Sequence, residues 1–253
     1  MAAIELSKIE KRFGAHAALS GVDLAIQPGE FVALVGPSGS GKTTLLKTIN
    51  GLVAPDAGSV RIEGESAAAP HQLRRRIGYV FQEIGLFPHL TVGENIAMTP
   101  RLLGWDRPRI AARVDELLEL VDLPREMARR MPTALSGGQR QRVGVARALA
   151  AQPKIMLMDE PFGALDPLTR DALGGDYRGL HERFGLTTVM VTHDMAEAVL
   201  LADRIVVLKG GCVVADGRPA ELLASTVDPE VRAMLEAPRR QAERLRQRLG
   251  ASS

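Results

Sequence analysis

Only one cysteine, Cys212, occurs in the 253 residues. An internal disulfide is therefore excluded, and a reducing compartment is expected. Charge of one sign is also missing: Lys+Arg 32 against Asp+Glu 30 leaves +2. A dedicated nucleic-acid binder is strongly basic, so no nucleic-acid partner is expected. Long apolar runs are absent too. The longest, Phe31–Val35 and residues 198–202, fall far short of the roughly 20 residues a membrane-crossing helix needs, and residues 1–13 lack the apolar core of a signal peptide. Any membrane role is expected to be peripheral. There is no internal repeat and no low-complexity tract.

What is present is a globular composition, 45% hydrophobic and 25% charged, enough for one large α/β domain or two small ones without staples. Val22, Leu24 and Ile26 alternate with small or polar residues, the pattern of a half-exposed strand, whereas Phe31–Val35 is the continuous apolar run of a strand buried on both faces. Residues 155–158, 187–192 and 205–208 read likewise, with helical stretches between them, so a largely parallel βα-alternating sheet is expected. Short strands at residues 4–13 and 60–63 are expected to pair antiparallel beside it. Strand signals vanish between residues 88 and 152, where Ile110, Val114, Leu117, Leu118 and Val121 recur at helical spacing behind Pro108; this segment reads as an inserted helical subdomain. Residues 236–249 carry Arg239, Arg240, Arg244, Arg246 and Arg248 with little apolar surface and read as a solvated helix. The expected organisation is one domain over 1–235 and an Arg-rich tail over 236–253.

Gly36, Pro37, Ser38, Gly39, Ser40, Gly41, Lys42 and Thr43 match G-x-x-x-x-G-K-[ST] directly behind a buried strand and ahead of a helical run at 44–50. Glycines let the backbone curl so that N–H groups converge on phosphate oxygens, and the helix adds its positive end. Lys42 supplies a point charge for the β and γ phosphates, and the Thr43 hydroxyl a hard oxygen for Mg²⁺. By composition alone such a match arises in roughly one chain of this length per hundred. The strand and helix flanks favour the phosphate cradle over a turn-rich loop.

The strand at 155–158 ends in Asp159 and Glu160, which Pro161 terminates. At the carboxyl edge of a sheet, Asp159 can reach a Mg²⁺ shell while Glu160 polarises a water for attack on the γ-phosphate. His193, at the end of the run 187–192, arrives at the same edge as a candidate sensor of that phosphate.

Leu135, Ser136, Gly137, Gly138 and Gln139 precede a helix through Val143, Ala146 and Leu149, with Ser136 placed to cap it. Here the chain resembles the ABC transporter ATPases, whose signature is this LSGGQ string. The resemblance spans about residues 4–223. It implies a P-loop NTPase (RecA-like) core with an antiparallel β subdomain and an inserted helical subdomain, and a head-to-tail homodimer binding ATP and Mg²⁺. One copy's Ser136, Gly137, Gly138 and Gln139 would close the other's phosphate site, which Thr44 also lines. The same resemblance makes Gln82 the residue that touches Mg²⁺ or water and links to the permease, and places Asp166, with Ala164 and Leu165, at the dimer seam. It makes His193 the switch histidine and Phe13 the base-stacking aromatic where tyrosine is common.

The stretch Ile77-Gly-Tyr-Val-Phe-Gln82-Glu-Ile-Gly-Leu-Phe-Pro-His89, with Thr91-Val-Gly-Glu-Asn-Ile96 and Arg101-Leu-Leu-Gly-Trp105, is similar to the ATPases of osmoprotectant importers. Asp159-Glu-Pro-Phe-Gly-Ala-Leu-Asp-Pro167 fits an importer as well. That similarity implies integral permease subunits, a substrate-binding protein acting through them, and a place at the cytoplasmic face of the membrane. It implies quaternary amines such as glycine betaine as cargo, with amino acids, anions or lipids as the alternative and a non-transport ATPase as a third. Two departures stand out. The CBS pair many such ATPases carry is not expected here, and Gly174 and Gly175 are expected to interrupt the helix after Pro167, at about 1 kcal/mol each relative to alanine.

Overall fold

Five consecutive buried residues, Phe31–Val35, form strand β3, and the alternation of their side chains divides the core. Phe31, Ala33 and Val35 face one apolar cluster, Val32 and Leu34 another. Met156 and Met158 join the first and Ile155 and Leu157 the second, so the central sheet is buried on both faces, as parallel sheets require. The computed structural model describes residues 1–67, 74–225 and 228–250.

β3 lies inside a six-stranded sheet with β6 (Ile77–Val80), β7 (Ile155–Asp159), β8 (Thr187–Val191), β9 (Arg204–Lys209) and β10 (Cys212–Gly217), in the order β10-β9-β3-β8-β7-β6. Every pairing is parallel except β9–β10. That hairpin turns through Gly210 and Gly211, both at positive φ (56 and 79), the conformation that a two-residue turn between right-twisted strands demands. A second, antiparallel sheet orders β2 (His16–Ile26), β1 (Ile4–Phe13), β4 (Ala57–Ile62) and β5 (Glu65–Ser66). Its registers set Ile4 opposite both Ile26 and Ile62, and Leu6 opposite Leu24 and Val60. This apolar face joins Leu45, Leu46 and Ile49 of helix α1 (Lys42–Ile49) in the second cluster.

The other cluster holds the inserted helices α2 (Val92–Leu102), α3 (Arg107–Leu120) and α4 (Gly137–Leu149), then α5 (Pro167–Phe184) and α6 (Met195–Leu201). Leu117 and Leu118 of α3 are fully buried there. Thr91 opens α2 with a reciprocal capping box to Glu94, and Asp106 caps α3 ahead of Pro108. Two helices follow β10, α7 (Pro219–Ser225) and α8 (Pro229–Leu249). Among the described residues no helix is long and apolar enough to cross a membrane.

One expectation needs revision. Gly174 and Gly175 do not interrupt α5, which runs unbroken for 18 residues. A Cβ on Gly174 would stand 3.2 Å from Leu201 Cδ1, so the missing side chain lets α6 approach, whereas Gly175 faces open space. Helix α8 spans residue 235, with Val231 and Leu235 buried and residues 239–248 exposed, the solvated face expected from the arginines.

Candidate active site

The loop between β3 and α1 is shaped by glycines that nothing else can replace. Gly36 has φ 142, and a Cβ there would lie 2.0 Å from the Leu208 carbonyl oxygen; Gly41 has φ 102, and a Cβ would lie 2.3 Å from that of Ala18. The loop is thus pressed onto β2 and β9 and curls in a conformation closed to L side chains. Pro37, Ser38 and Gly39 form its exposed crest, and Ser40 is buried beneath it. Gly41 starts α1 with no side-chain cap, so the first-turn N–H groups at Lys42, Thr43 and Thr44 are left to a ligand.

Lys42 is 8% exposed and turns its ammonium into the loop, donating to the carbonyls of Gly36 (2.8 Å) and Pro37 (2.9 Å). Burial holds its pKa below the usual lysine range, against the charges of Glu160 and Asp159. Thr43 Oγ1 donates to Asp159 Oδ1 at 2.9 Å. Asp159 is 4% exposed; burial raises its carboxyl above the usual aspartate range, and the Thr43 hydrogen bond partly restores it. Tyr79 on the neighbouring strand turns a buried hydroxyl toward this pair. It finds no hydrogen-bond partner among the described residues, and burial and the Asp159 charge push its phenol up.

β7 ends at Asp159, and Glu160 takes φ 45 while its N–H pairs with the Val191 carbonyl at 2.9 Å. A left-handed glutamate is strained by roughly 1–3 kcal/mol, the kind of conformation that concentrates at reactive sites. The turn carries its carboxylate between two side chains from other segments. Gln82 Nε2 donates to Glu160 Oε2 at 3.2 Å, and His193 Nδ1 lies 3.1 Å from the same oxygen. Gly163 faces the pair, where a Cβ would sit 3.6 Å from both Glu160 Oε2 and His193 Cε1. Lys42, Thr43, Gln82, Asp159, Glu160 and His193 are therefore assembled at one sheet edge from four separate segments.

The Gln82 loop is held from behind. Arg147 of α4 donates to the carbonyls of Ile84 (2.7 Å) and Gly85 (2.6 Å), and fully buried Asn95 of α2 bonds the main chain of Phe87, Leu90 and Thr91. Beside it opens a cavity of about 670 Å³ lined by Tyr79, Phe81, Gln82, Phe87, Arg147 and Asp159, among others.

The remaining predicted residues lie elsewhere. Ser136 caps α4 by accepting from Gln139 N at 3.2 Å while Gln139 Oε1 accepts from Ser136 N at 3.0 Å. Gly137 and Gly138 occupy the first turn, and a Cβ on Gly138 would be 2.8 Å from Thr169 Cγ2. Asp166 caps α5, accepting from Thr169 N at 3.1 Å. Phe13 ends β1, 52% exposed, with Lys11 Nζ 5.5 Å from its ring centre. Among the described residues, none of these six hydrogen-bonds to Lys42, Asp159 or Glu160. Sequence reasoning missed Tyr79, Asn95, Arg147 and Arg170; they act across distant segments, and no local pattern distinguishes them from ordinary core and surface residues.

Comparison with known proteins follows the same lines. The family model described as ABC transporter matches residues 19–163. The chain is 52% identical over 221 residues to the glycine betaine/carnitine/choline transport ATP-binding protein of Bacillus subtilis (strain 168), covering 87% of this chain and 58% of that protein. It is 50% identical over 231 residues to a glycine betaine uptake system ATP-binding protein of Escherichia coli (strain K12), covering 90% and 75%. A sulfate/thiosulfate import ATP-binding protein of Caulobacter vibrioides is 49% identical over 223 residues, covering 87% and 66%. Among solved structures, a dimeric ATP-binding cassette in a post-hydrolysis state with ADP and Pi superposes with TM-score 0.76 at 38% identity, over 85% of this chain and 98% of that one.

Proposed function

The chain belongs to the ABC transporter family, and on that premise we propose that it is the ATP-hydrolysing subunit of an importer for osmoprotectants of the quaternary-amine type. The carrying observation is the carboxylate of Glu160, shared by Gln82 and His193 next to the Lys42–Thr43–Asp159 cradle.

The triphosphate lies in loop 36–43 with Lys42 released from its own carbonyls onto the β and γ phosphates and the first-turn N–H groups of α1 closing over them. Phe13 stacks on the base. The donor set suits Mg²⁺, because Thr43 Oγ1, the Asp159 carboxylate and the Gln82 amide are all hard oxygen ligands and a magnesium site needs few from protein. When bound, the ion neutralises charge on the phosphate oxygens. Glu160 accepts the proton of the attacking water, and His193 reports the γ-phosphate.

The chain works as a head-to-tail pair. Ser136, Gly137, Gly138 and Gln139 of one copy offer a capped helix N-terminus to the phosphate held by the other, and Asp166 lies at the seam. Closure on ATP and opening after hydrolysis drive permease subunits in the membrane, which take cargo from a substrate-binding protein. Gln82 and the cavity beside it are the permease contact, at the cytoplasmic face. Residues 1–235 form the motor and 236–253 a tail outside it.

The cargo rests on likeness alone, since a motor subunit never touches the solute. A second reading, an inorganic anion such as sulfate, is favoured by the 49% identity to a sulfate/thiosulfate import protein. Uptake of labelled glycine betaine and labelled sulfate by the native cells, with Glu160→Gln replacing the wild-type chain, separates the two. Loss of betaine uptake alone supports the first reading. Loss of sulfate uptake alone supports the second, and unchanged uptake of both removes both cargo readings while the ATPase reading stands.

A further inference from the structure

Arg170, in the first turn of α5, joins the turn after His193 to the turn that precedes its own helix. Its Nη1 meets Asp194 Oδ2 at 3.0 Å, and its Nη2 donates to the Leu165 carbonyl at 3.1 Å and to that of Gly163 at 3.4 Å. Two pieces meet at this guanidinium, and a third packs against its neighbour Thr169.

The first piece is the switch. Asp194 follows His193 directly, and its other oxygen, Oδ1, caps α6 by accepting from Ala196 N (2.9 Å) and Glu197 N (3.3 Å). Its N–H is fixed in turn by Thr192 Oγ1 at 3.0 Å. The side chain of Asp194 cannot shift without moving the backbone that carries His193, and His193 touches Glu160. The second piece is the turn 163–166, whose carbonyls Arg170 binds and whose Asp166 starts α5. The third is the N-terminus of α4: the neighbouring residue, Thr169, packs against Gly138 so closely that a Cβ there would stand 2.8 Å away, and Leu165 lies 3.9 Å from the Cβ position of Gly137. These contacts make residues 136–139 and 163–170 one packed block, joined to the His193 turn through the charge-assisted Arg170–Asp194 pair.

We propose that Arg170 is a positioning residue that couples the two nucleotide sites of the dimer, transmitting the state of His193 in one site to the elements 136–139 and 163–166 that the same chain presents to the other. This deepens the proposed function and rests on it. A phosphate that draws His193 forward pulls Asp194, and Arg170 carries that displacement to the block; release of phosphate reverses it. Coupling of this kind is a free energy between sites, and removing the link lowers cooperativity without touching either pocket.

Asp194→Asn is the discriminating variant. The amide oxygen can still cap α6, while the charge that holds Arg170 is lost. Arg170→Ala removes the link from the other side, and Arg170→Lys keeps a charge for Asp194 but lacks the fork that also reaches two carbonyls. ATP hydrolysis by the purified full chain is measured against ATP concentration, together with MgADP affinity, which reads one pocket without its partner. The expected result is a Hill coefficient above 1 in the wild type that falls toward 1 in Asp194→Asn and Arg170→Ala, a turnover about tenfold lower, an intermediate Arg170→Lys, and unchanged MgADP affinity. A wild-type Hill coefficient of 1, cooperative turnover in Asp194→Asn, or a parallel loss of MgADP affinity overturns the coupling role. A wild-type chain that binds MgADP but hydrolyses no ATP fails one level down, at the motor reading itself.

Discussion

The two halves of the proposed site are built in opposite ways. The cradle of loop 36–43 with Asp159 is set into the core: Lys42 and Asp159 are buried, and Gly36 and Gly41 touch neighbouring backbone so closely that no side chain fits. The block 136–139 with 163–166 stands at the surface. Ser136, Gly163, Ala164 and Asp166 are exposed, and local hydrogen bonds to adjacent helix starts hold the segment in shape. Burial strains and tunes the first half; capping presents the second. A group that must bind phosphate within one chain gains from a low-dielectric, preformed bowl, whereas one offered to a second molecule has to keep its donors free until that molecule arrives.

The most severe way to break the buried half is chemical. Glu160→Gln keeps the shape and removes the base, so turnover is expected to fall roughly 10²–10⁴-fold while ATP binding persists; a rate near wild type without a trapped ATP-bound dimer reassigns the base. Gly36→Ala attacks the same half structurally. The left-handed backbone alone costs about 1–3 kcal/mol, the 2.0 Å contact with Leu208 adds to it, and thermal melts should show the loss together with lost nucleotide binding.

The exposed half answers more mildly. Ser136→Ala removes the α4 cap at a cost of about 1 kcal/mol and should depress turnover with MgADP affinity intact; a variant losing both would place Ser136 in its own chain's pocket. Asp159→Asn tests whether the buried half is tuned at the expense of stability. Its carboxyl pKa is raised by burial, so between the unfolded and folded values the native state holds the extra proton, and above that window the ionised form destabilises the fold. At neutral pH the asparagine variant without ligand should melt higher than wild type and gain nothing from MgATP, an ordering that differential scanning calorimetry reads directly. The smallest effect is Gly175→Ala, which faces open space on a continuous helix and should stabilise by about 0.5–1 kcal/mol with activity unchanged.

Legibility in the sequence followed the same division. Phe31–Val35 was visible because burial on both faces leaves an unbroken apolar run. β6 is hidden in the sequence, because Gly78 and half-buried Tyr79 break that run; Gly78 is required where Met156 Sδ and the Ala148 carbonyl leave no room for a Cβ. β10 escaped notice because an edge strand with a solvated face has a weak apolar signal. The two glycines of α5 suggest an interruption because helix propensity is a local quantity, whereas the close approach of Leu201 to Gly174 is not.

By itself the sequence determined the parallel core, the capped helix at Ser136, the phosphate loop and the acidic pair at 159–160, since each is written in contiguous residues whose spacing is dictated by helix or strand period and by backbone freedom at glycine. Only the tertiary structure decided that Gln82 and His193 meet on one oxygen of Glu160, that Tyr79 stands over Asp159, and that Arg170 binds Asp194. Those partners are separated by 78, 33 and 24 residues in the bonded cases, and it is strand order and register that bring them together.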